Sequence, residues 1–177
     1  MIFERTPIDG AYLVKLDRRR DERGWFARSF CAEVFASHGL ETRYPQQNVS
    51  ESLRKGTLRG MHFQTGVHAE VKLVRCARGG LFDVIVDLRK GSPSFGKWFG
   101  AELSAANGVQ MYAPAGCAHG FVTLADETEA TYLVSQPYAP GAEGGLRFDD
   151  PAIGIEWPAP IDVVSDKDRA WPDFVSF

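Results

Sequence analysis

The feature that most constrains the fold of this chain is a series of short apolar or alternating segments separated by turn signals. These segments are GAYLVKL, TLRGMHFQ, VKLVRCA, GGLFDVIVDLR, KWFGAEL, VQMYAP, HGFVTLA and ATYLVSQPY. The connections between them are dense in glycine, proline and serine, as tight loops between strands require. Short strands that recur with such turn signals predict an all-β sandwich or barrel.

The segment GGLFDVIVDLR predicts how one strand is oriented. Successive side chains of a strand point to opposite faces, so Phe82, Val84, Val86 and Leu88 share one face. Asp83 and Asp87 fall on the other face. We therefore expect this strand to have a dry side and a wetter side.

Helices are predicted to be few and short. In SFCAEVFASHG, Ser29 is suited to cap a helix and Gly39 to end it, and SDKD near the C-terminus predicts a second helical turn. The stretch from about 149 to 177 is interrupted by prolines, so we expect an irregular tail that wraps the sheet. A chain of 177 residues is predicted to form a single domain, 1–177.

The charge pattern and the absence of long apolar runs exclude several classes of partner. The net charge is -3 and charges of both signs are interspersed, so neither nucleic acid nor a membrane surface is expected to bind. No apolar run approaches the ~20 residues of a membrane span, and MIFERTPIDG lacks the pattern of a secretion signal, so we expect a cytoplasmic protein. Cys31, Cys76 and Cys117 lack CxxC spacing and are expected to be buried reduced thiols.

The segment GVQMYAPAGCAHGF narrows the fold further. It matches the spacing of the second cupin motif at Gly108, Pro114, Gly116 and His119. The first cupin motif needs a closely spaced histidine pair followed by a carboxylate, because several ligands must converge on one metal ion. His62 and His68 do not have that spacing. We therefore predict a cupin-type jelly roll with a few short helices and without a metal ion.

Without a metal, the pocket of such a barrel has to work with its own acids and bases. His62 can take a proton near neutral pH, and a carboxylate such as Asp168 on its far nitrogen would fix its tautomer. Lys72 offers a positive charge for an oxyanion, and Tyr132 offers a phenolic proton. Together they fit carbon-acid chemistry, in which a proton beside a carbonyl is removed, the enolate is stabilised and a proton is returned.

Each of these residues also has a purely structural interpretation. His62 can be a hydrogen-bonded strand residue, His119 can shape its glycine-bracketed loop, and Lys72 can extend along the surface toward water. Tyr132 and Tyr138 can be aromatic residues of the barrel with hydrogen-bonded hydroxyls. The sequence pattern alone leaves both interpretations open.

The stretch LRGMHFQ raises a geometric difficulty. Arg59 and His62 have opposite parity in a regular strand and would face opposite sides of the sheet. Gly60 lies between them, and an isolated glycine in a strand often marks a bulge. We expect an irregularity at Gly60 that lets both side chains serve one pocket.

A longer series of segments carries a resemblance to a known family. The segments are DERGWF, QQNVSES, TLRGMHFQ, KLVRC, FDVIVDLRKGSPSFGKW, PAGCAHGF, YLVSQPYAP, FDDPAIGIEWP and SDKD. From about residue 21 to residue 168, the chain resembles the dTDP-4-dehydrorhamnose 3,5-epimerase family of nucleotide-sugar epimerases. The resemblance implies a homodimeric jelly-roll enzyme without metal or other cofactor. It also implies inversion of carbons 3 and 5 of a dTDP-linked 4-keto-6-deoxyhexose, giving dTDP-4-dehydro-L-rhamnose.

The resemblance also implies a role for each candidate residue. His62 would accept the proton with help from Asp168, Tyr132 would donate one, Lys72 would steady the enolate oxygen, and His119 would line the sugar site. The residues implied to lie at the nucleotide and diphosphate are Gln46, Gln47, Asn48, Arg59, Tyr138, Glu143 and Lys167. The partner subunit would add Arg23 and Phe26, so the sites would be shared across the dimer interface.

The chain departs from the family pattern at Arg28, where the family usually carries a glutamate. In the expected strand GWFARSF, Arg28 shares a face with Phe26 by alternation. A guanidinium offers only donors and cannot accept the imide proton of thymine. We therefore predict weaker discrimination of thymidine from uridine than in relatives with a glutamate.

Three other functions stay open on the sequence. The first is a single-site epimerase or ketosugar isomerase of deoxysugar biosynthesis, which labelling by solvent deuterium would distinguish. The second is a non-catalytic jelly roll that binds sugar nucleotides, which has no need of an acid and a base together. The third is a metal-dependent cupin oxygenase, which metal analysis would identify.

Overall fold

The structure, a computed structural model, describes residues 1–174 of the chain. Its strands in chain order are β1 (Ile2–Arg5), β2 (Tyr12–Lys15), β3 (Arg19–Asp21), β4 (Gly24–Phe26), β5 (Gln46–Ser52), β6 (Leu58–Gln64), β7 (Lys72–Arg78), β8 (Gly80–Asp87), β9 (Trp98–Ser104), β10 (Gln110–Ala113), β11 (Cys117–Thr123), β12 (Thr128–Val134) and β13 (Glu143–Gly145). Its α-helices are α1 (Ala32–Ser37) and α2 (Asp166–Arg169), and 3-10 turns lie at Gly66–His68 and Pro140–Ala142. Within residues 1–174, neither helix has the length and apolarity to cross a membrane. The cytoplasmic location stays a prediction.

The strands form two sheets that enclose the core. One sheet has the order β1-β2-β10-β7-β12-β5, and the other has the order β13-β6-β11-β8-β9. Strands β3 and β4 form a separate ribbon. The main apolar cluster joins Val74 of β7 and Met111 of β10 to Leu81 and Ile85 of β8, so it lies between the two sheets. This confirms the predicted all-β, cupin-type jelly roll with a few short helices.

Every apolar segment predicted to be a strand contains one, from β2 and β6 through to β12. Strands β1, β3, β5 and β13 were not predicted. The prediction of a strand over GWFARSF is correct only for its first three residues, which form β4. This strand ends at Phe26, so Arg28 lies beyond it.

The C-terminal tail covers the outer face of β8. Phe82, Val84 and Val86 pack in one cluster with Phe148 and Trp157 of the tail. The rings of Phe82 and Trp157 meet edge to face, with centroids 6.4 Å apart. The predicted dry side of β8 is therefore the face beneath the tail. Positions 175–177 of the predicted tail lie outside the described residues, and the assignment of 1–177 to one domain stays a prediction.

The prediction that one face of β8 is exposed to solvent is wrong. Asp83 and Asp87 are both fully buried, because their face points toward the interior between the sheets. Each carboxylate has a charged or polar partner: Asp83 contacts the buried His119, and Asp87 accepts hydrogen bonds from the half-buried Arg89. Burial of a carboxylate is tolerated when it is paired in this way.

Helix α1 starts later than its sequence predicts. The N-cap is Cys31, in an extended conformation and without a side-chain cap, so the prediction for Ser29 is wrong. Ser29 is instead part of the extended approach to the helix, where its carbonyl accepts a hydrogen bond from Gln110. Gly39 ends the helix as predicted, because its φ of +69° lies in the left-handed region that glycine favours.

The cysteines are reduced, and two of the three are buried. Cys76 and Cys117 lie in the core between the sheets. Cys31 is only half-buried, so the prediction of a buried thiol is wrong at that position.

The predicted irregularity at Gly60 is confirmed as a bulge in β6. His62 pairs with His119 of β11, but Arg59 pairs with Phe121, so β6 carries one extra residue between these pairs. The peptide between Gly60 and Met61 is cis. The bulge brings Arg59 and His62 to the same cavity in spite of their opposite parity.

The bulge depends on a close approach of two glycines, which a substitution would test. A Cβ on Gly60 would lie 2.6 Å from Cα of Gly120, and Gly60 has a φ of +144°. We expect Gly60→Ala to lower the free energy of unfolding by about 3 kcal/mol, because backbone atoms have to move apart. Urea unfolding measures this loss. Gly91→Ala is the matched control, since a Cβ there meets nothing within 4 Å, and equal stability of the two variants would contradict the expectation.

Candidate active site

A cavity of about 460 Å³ lies between the two sheets and α2. The residues predicted from the sequence that line it are Arg59, His62, Lys72, His119, Tyr132, Lys167 and Asp168. They come from β6, β7, β11, β12 and α2, so the site requires the complete fold. The whole set proposed for proton transfer thus lies in one cavity.

The histidine that the sequence singles out is paired with the predicted carboxylate. His62 Nε2 lies 2.6 Å from Asp168 Oδ1, and Asp168 is buried. Helix α2 presents Asp168, and Ser165 caps this helix by accepting a hydrogen bond from the Asp168 N–H, which confirms the second helical turn. The pairing leaves Nδ1 of His62 as the nitrogen that can take a proton from a bound molecule.

The charge of Asp168 is stabilised by its hydrogen bonds. Burial alone raises the pKa of this carboxyl group, but hydrogen bonds from His62, the Gly60 N–H and Ser165 lower it below its ordinary value. Asp168 is therefore ionised at neutral pH and can stabilise a protonated His62.

Lys72 is a pocket lysine rather than a surface one. It is buried, and it shares its face of β7 with the core residues Val74 and Cys76. Its Nζ donates a hydrogen bond of 3.1 Å to the His62 carbonyl and lies 3.2 Å from Glu70 Oε1. The sequence interpretation missed Glu70, which precedes β7 and whose spacing of two residues from Lys72 was the available signal.

Tyr132 lies on β12, between β5 and β7, and its ring reaches the same cavity. Burial raises the pKa of its phenol, the nearby Arg59 opposes this rise, and Glu70 adds to it. The phenol therefore keeps its proton at neutral pH, as a proton donor must.

A second histidine and carboxylate pair faces the cavity. His119 Nε2 lies 2.8 Å from Asp83 Oδ1, and both residues are buried. His119 is part of β11 and not of a loop, so the interpretation that it shapes a loop is wrong. Asp83 was missed as a site residue because its face of β8 was expected to meet solvent.

A smaller hollow of about 140 Å³ adjoins the cavity and shares His62, Lys72 and Tyr132 with it. It adds four residues that were predicted for the nucleotide, namely Gln46, Asn48, Tyr138 and Glu143. Gln47 points to the opposite side of β5, where it lines a different hollow on the outer face of the sheet. The structure therefore separates Gln47 from Gln46 and Asn48, its predicted neighbours on β5.

Three charged or phenolic groups form a network at the mouth of the cavity. Lys167 Nζ lies 2.7 Å from both carboxylate oxygens of Glu143, and Tyr138 donates a hydrogen bond of 3.0 Å to the same carboxylate. Burial raises the pKa of Glu143, but these two partners lower it overall. The network places a cation and an aromatic ring side by side at the entrance.

Arg23, Phe26 and Arg28 lie outside this cavity. Arg23 is exposed and pairs with Asp21 at 2.6 Å, and the side chain of Phe26 is 68% exposed. Phe26 and Arg28 line a separate hollow of about 200 Å³ beside the β3–β4 ribbon. One protomer does not bring these residues to its own site.

Metal-binding groups do not cluster in the described residues. Within 1–174, no three His, Cys, Asp or Glu side chains converge as a metal site would require. The histidines of the cavity each contact a carboxylate instead, His62 with Asp168 and His119 with Asp83. These paired side chains do not fit the metal centre of a cupin. The absence of a metal and of a cofactor stays a prediction.

The fold and the cavity define the class of this protein as a jelly-roll enzyme with acid–base groups suited to moving protons at carbon. A family model described as dTDP-4-dehydrorhamnose 3,5-epimerase matches residues 5–176. The chain belongs to this family, and it is an isomerase of the epimerase type.

Individual relatives agree with this assignment. The dTDP-4-dehydrorhamnose 3,5-epimerase of Sinorhizobium fredii is 46% identical over 97% of this chain and 89% of its own. The crystal structure of the Bacillus anthracis enzyme with TDP and PPi bound is 39% identical, with a TM-score of 0.94 over 98% of this chain and 99% of that one. The Legionella pneumophila epimerase in complex with dTDP-4-keto-L-rhamnose is 38% identical, with a TM-score of 0.91 over 97% and 92%.

Proposed function

We propose that the chain inverts carbons 3 and 5 of dTDP-4-dehydro-6-deoxy-D-glucose to give dTDP-4-dehydro-L-rhamnose. The observation that carries the proposal is the 2.6 Å contact of His62 with Asp168 in a cavity that also contains Lys72 and Tyr132. A base, an oxyanion donor and an acid in one cavity are suited to forming and reprotonating an enolate. A protein that only bound sugar nucleotides would not need this combination.

His62 acts as the general base. The 4-keto group makes the protons on carbons 3 and 5 acidic, provided that the enolate is stabilised. Nδ1 of His62 takes the proton, the C–H electron pair forms the carbon–carbon double bond, and the carbonyl pair moves to the oxygen on carbon 4. Asp168 on the opposite nitrogen stabilises the imidazolium that results.

Lys72 and Tyr132 complete the reaction. The ammonium of Lys72 donates a hydrogen bond to the oxygen on carbon 4 as its negative charge develops. Tyr132 returns a proton to carbon from the face opposite His62, which inverts the configuration. His119, oriented by Asp83, lines the sugar site beside them.

The nucleotide and diphosphate bind at the mouth of the cavity. Arg59 is exposed there and offers the planar, multi-donor contact that diphosphate oxygens favour. Tyr138 offers a stacking face, and Lys167 and Glu143 supply polar contacts beside it. Gln46 and Asn48 are on the same side of β5, and Gln47 is not.

A second copy of the chain completes the site. Phe26 and Arg28 line a separate hollow of their own protomer, and Arg23 is exposed on the ribbon beside it, so these residues would reach a nucleotide only in a neighbouring subunit. The exposed ring of Phe26 is then available to stack on the base. We therefore propose a homodimer with composite sites, which sedimentation analysis of the purified protein measures.

Turnover in deuterated water, followed by NMR, tests the proposed reaction. Inversion at both carbons places solvent deuterium at carbons 3 and 5 of the product. Label at one carbon alone would identify a single-site epimerase. No turnover of dTDP-4-dehydro-6-deoxy-D-glucose by folded protein would contradict the proposal.

Arg28 gives a prediction about base selectivity. Because a guanidinium cannot accept the imide proton of thymine, we expect the dissociation constants of dTDP and UDP to differ by less than about 10-fold. Arg28→Glu should increase the preference for dTDP. Competition binding measures both ratios, with Arg5→Glu on β1 as a control that replaces another exposed arginine. Strong selectivity in the parent that Arg28→Glu leaves unchanged would contradict this role.

A further inference from the structure

Glu70 is a buried carboxylate beside the cavity that the proposed mechanism does not use. It precedes β7, and only 8% of it is exposed. Its Oε1 lies 3.2 Å from Lys72 Nζ, while its buried Oε2 has no hydrogen-bond partner within residues 1–174. Carboxylates are rarely buried without full pairing, so this residue requires a functional explanation.

The backbone of the residue that follows Glu70 is held by two hydrogen bonds. The Val71 N–H donates to Ser135 Oγ at 2.8 Å, and the Ser135 N–H donates to the Val71 carbonyl at 3.0 Å. Ser135 directly follows β12, the strand that contains Tyr132. These bonds tie the segment before β7 to the end of β12, so the backbone that carries Glu70 is held in place beside the cavity.

We infer that Glu70 is a positioning residue of the active site, which together with the His62 carbonyl orients the ammonium of Lys72. A lysine ammonium has three donors on a flexible stem, and its direction has to be set by its neighbours. Glu70 Oε1 at 3.2 Å and the His62 carbonyl at 3.1 Å engage two of these donors. This leaves one donor of Lys72 for the cavity that the residue lines, where the enolate oxygen would lie. This inference rests on the proposed role of Lys72.

The carboxylate of Glu70 also affects the pKa of Tyr132, the proposed proton donor. Burial raises the pKa of Tyr132, Arg59 opposes this rise, and the negative charge of Glu70 adds to it. Glu70 therefore supports both the orientation of Lys72 and the protonated form of the phenol. Both effects favour formation of the enolate and its reprotonation.

Glu70→Gln tests the inference, because it keeps the shape and one oxygen acceptor but removes the charge. We expect kcat for inversion to fall about 10-fold while KM and the affinity for dTDP stay close to the parent values, since a misplaced Lys72 affects the transition state more than nucleotide binding. The same substitution at Glu102, which is exposed on β9, leaves kcat unchanged. A parent-like kcat in Glu70→Gln, or loss of dTDP binding together with activity, would overturn the inference.

Lys72→Met shows whether Glu70 acts through Lys72. In the Lys72→Met background, Glu70→Gln is expected to change kcat by less than about 2-fold, because two residues that act through one contact are not additive. A full 10-fold loss in that background would overturn the inference. If Lys72→Met itself keeps parent-like activity, the proposed role of Lys72 is wrong, and the inference that Glu70 positions it is wrong as well. If Lys72→Met is impaired and Glu70→Gln is not, only the inference about Glu70 is wrong.

Discussion

His62→Ala is expected to slow the exchange of the sugar protons with solvent by a factor of about 10²–10⁴, the usual effect of removing a general base. The cavity contains two histidine and carboxylate pairs, and they differ in access. The side chain of His62 is 33% exposed, whereas that of His119 is 8% exposed. Because only the more open imidazole can approach a carbon of the sugar, we assign the base to His62.

Two matched variants make this prediction decisive. His68→Ala removes an exposed histidine from the 3-10 turn before β7 and should leave exchange at the parent rate. His119→Ala should slow turnover less than His62→Ala, because it removes a side chain that lines the sugar site and not the general base. Retained dTDP binding would show that each variant is folded. Nearly full exchange in His62→Ala combined with its loss in His119→Ala would assign the base to His119 instead.

The sequence predicted those parts of the fold in which burial leaves a periodic pattern. Strands β7 and β8 are buried along most of their length, and their apolar alternation located them. Strand β5 was missed because QQNVSES contains a single apolar residue, Val49, and this residue is 63% exposed. The other six residues of this edge strand are polar, so composition gives no signal for it.

The site was predictable where a polar residue interrupts an apolar strand, as His62 and Lys72 do. The alternation of side chains along a strand shows which residues share a face, but it does not show what covers that face. Asp83 was assigned to solvent because its partner, His119, is far away in the sequence and meets it only across neighbouring strands. The positions of Phe26 and Arg28 relative to the site could not be predicted from the sequence either, because one protomer does not bring them to its own cavity.

Tyr132→Phe is expected to separate exchange from inversion. The substitution keeps the ring that packs on the core cluster between the sheets and removes only the hydroxyl, so the barrel stays intact. His62 can still take a proton and return one from solvent to the same face. Inversion should slow by about 10²-fold, the lower end of the range for loss of a general acid, while deuterium continues to enter the unreacted substrate. NMR in deuterated water measures both rates in one sample.

Tyr44→Phe is the matched control for the loss of this hydroxyl. The hydroxyl of Tyr44 is also buried, but the residue packs with α1 in a separate cluster, away from the cavity. Tyr44→Phe should therefore keep both exchange and inversion near the parent rates. If Tyr132→Phe instead loses exchange and inversion in the same proportion, then Tyr132 supports formation of the enolate, and the proton that inverts the carbon has a different donor. If it retains both, water delivers that proton from the open side of the cavity.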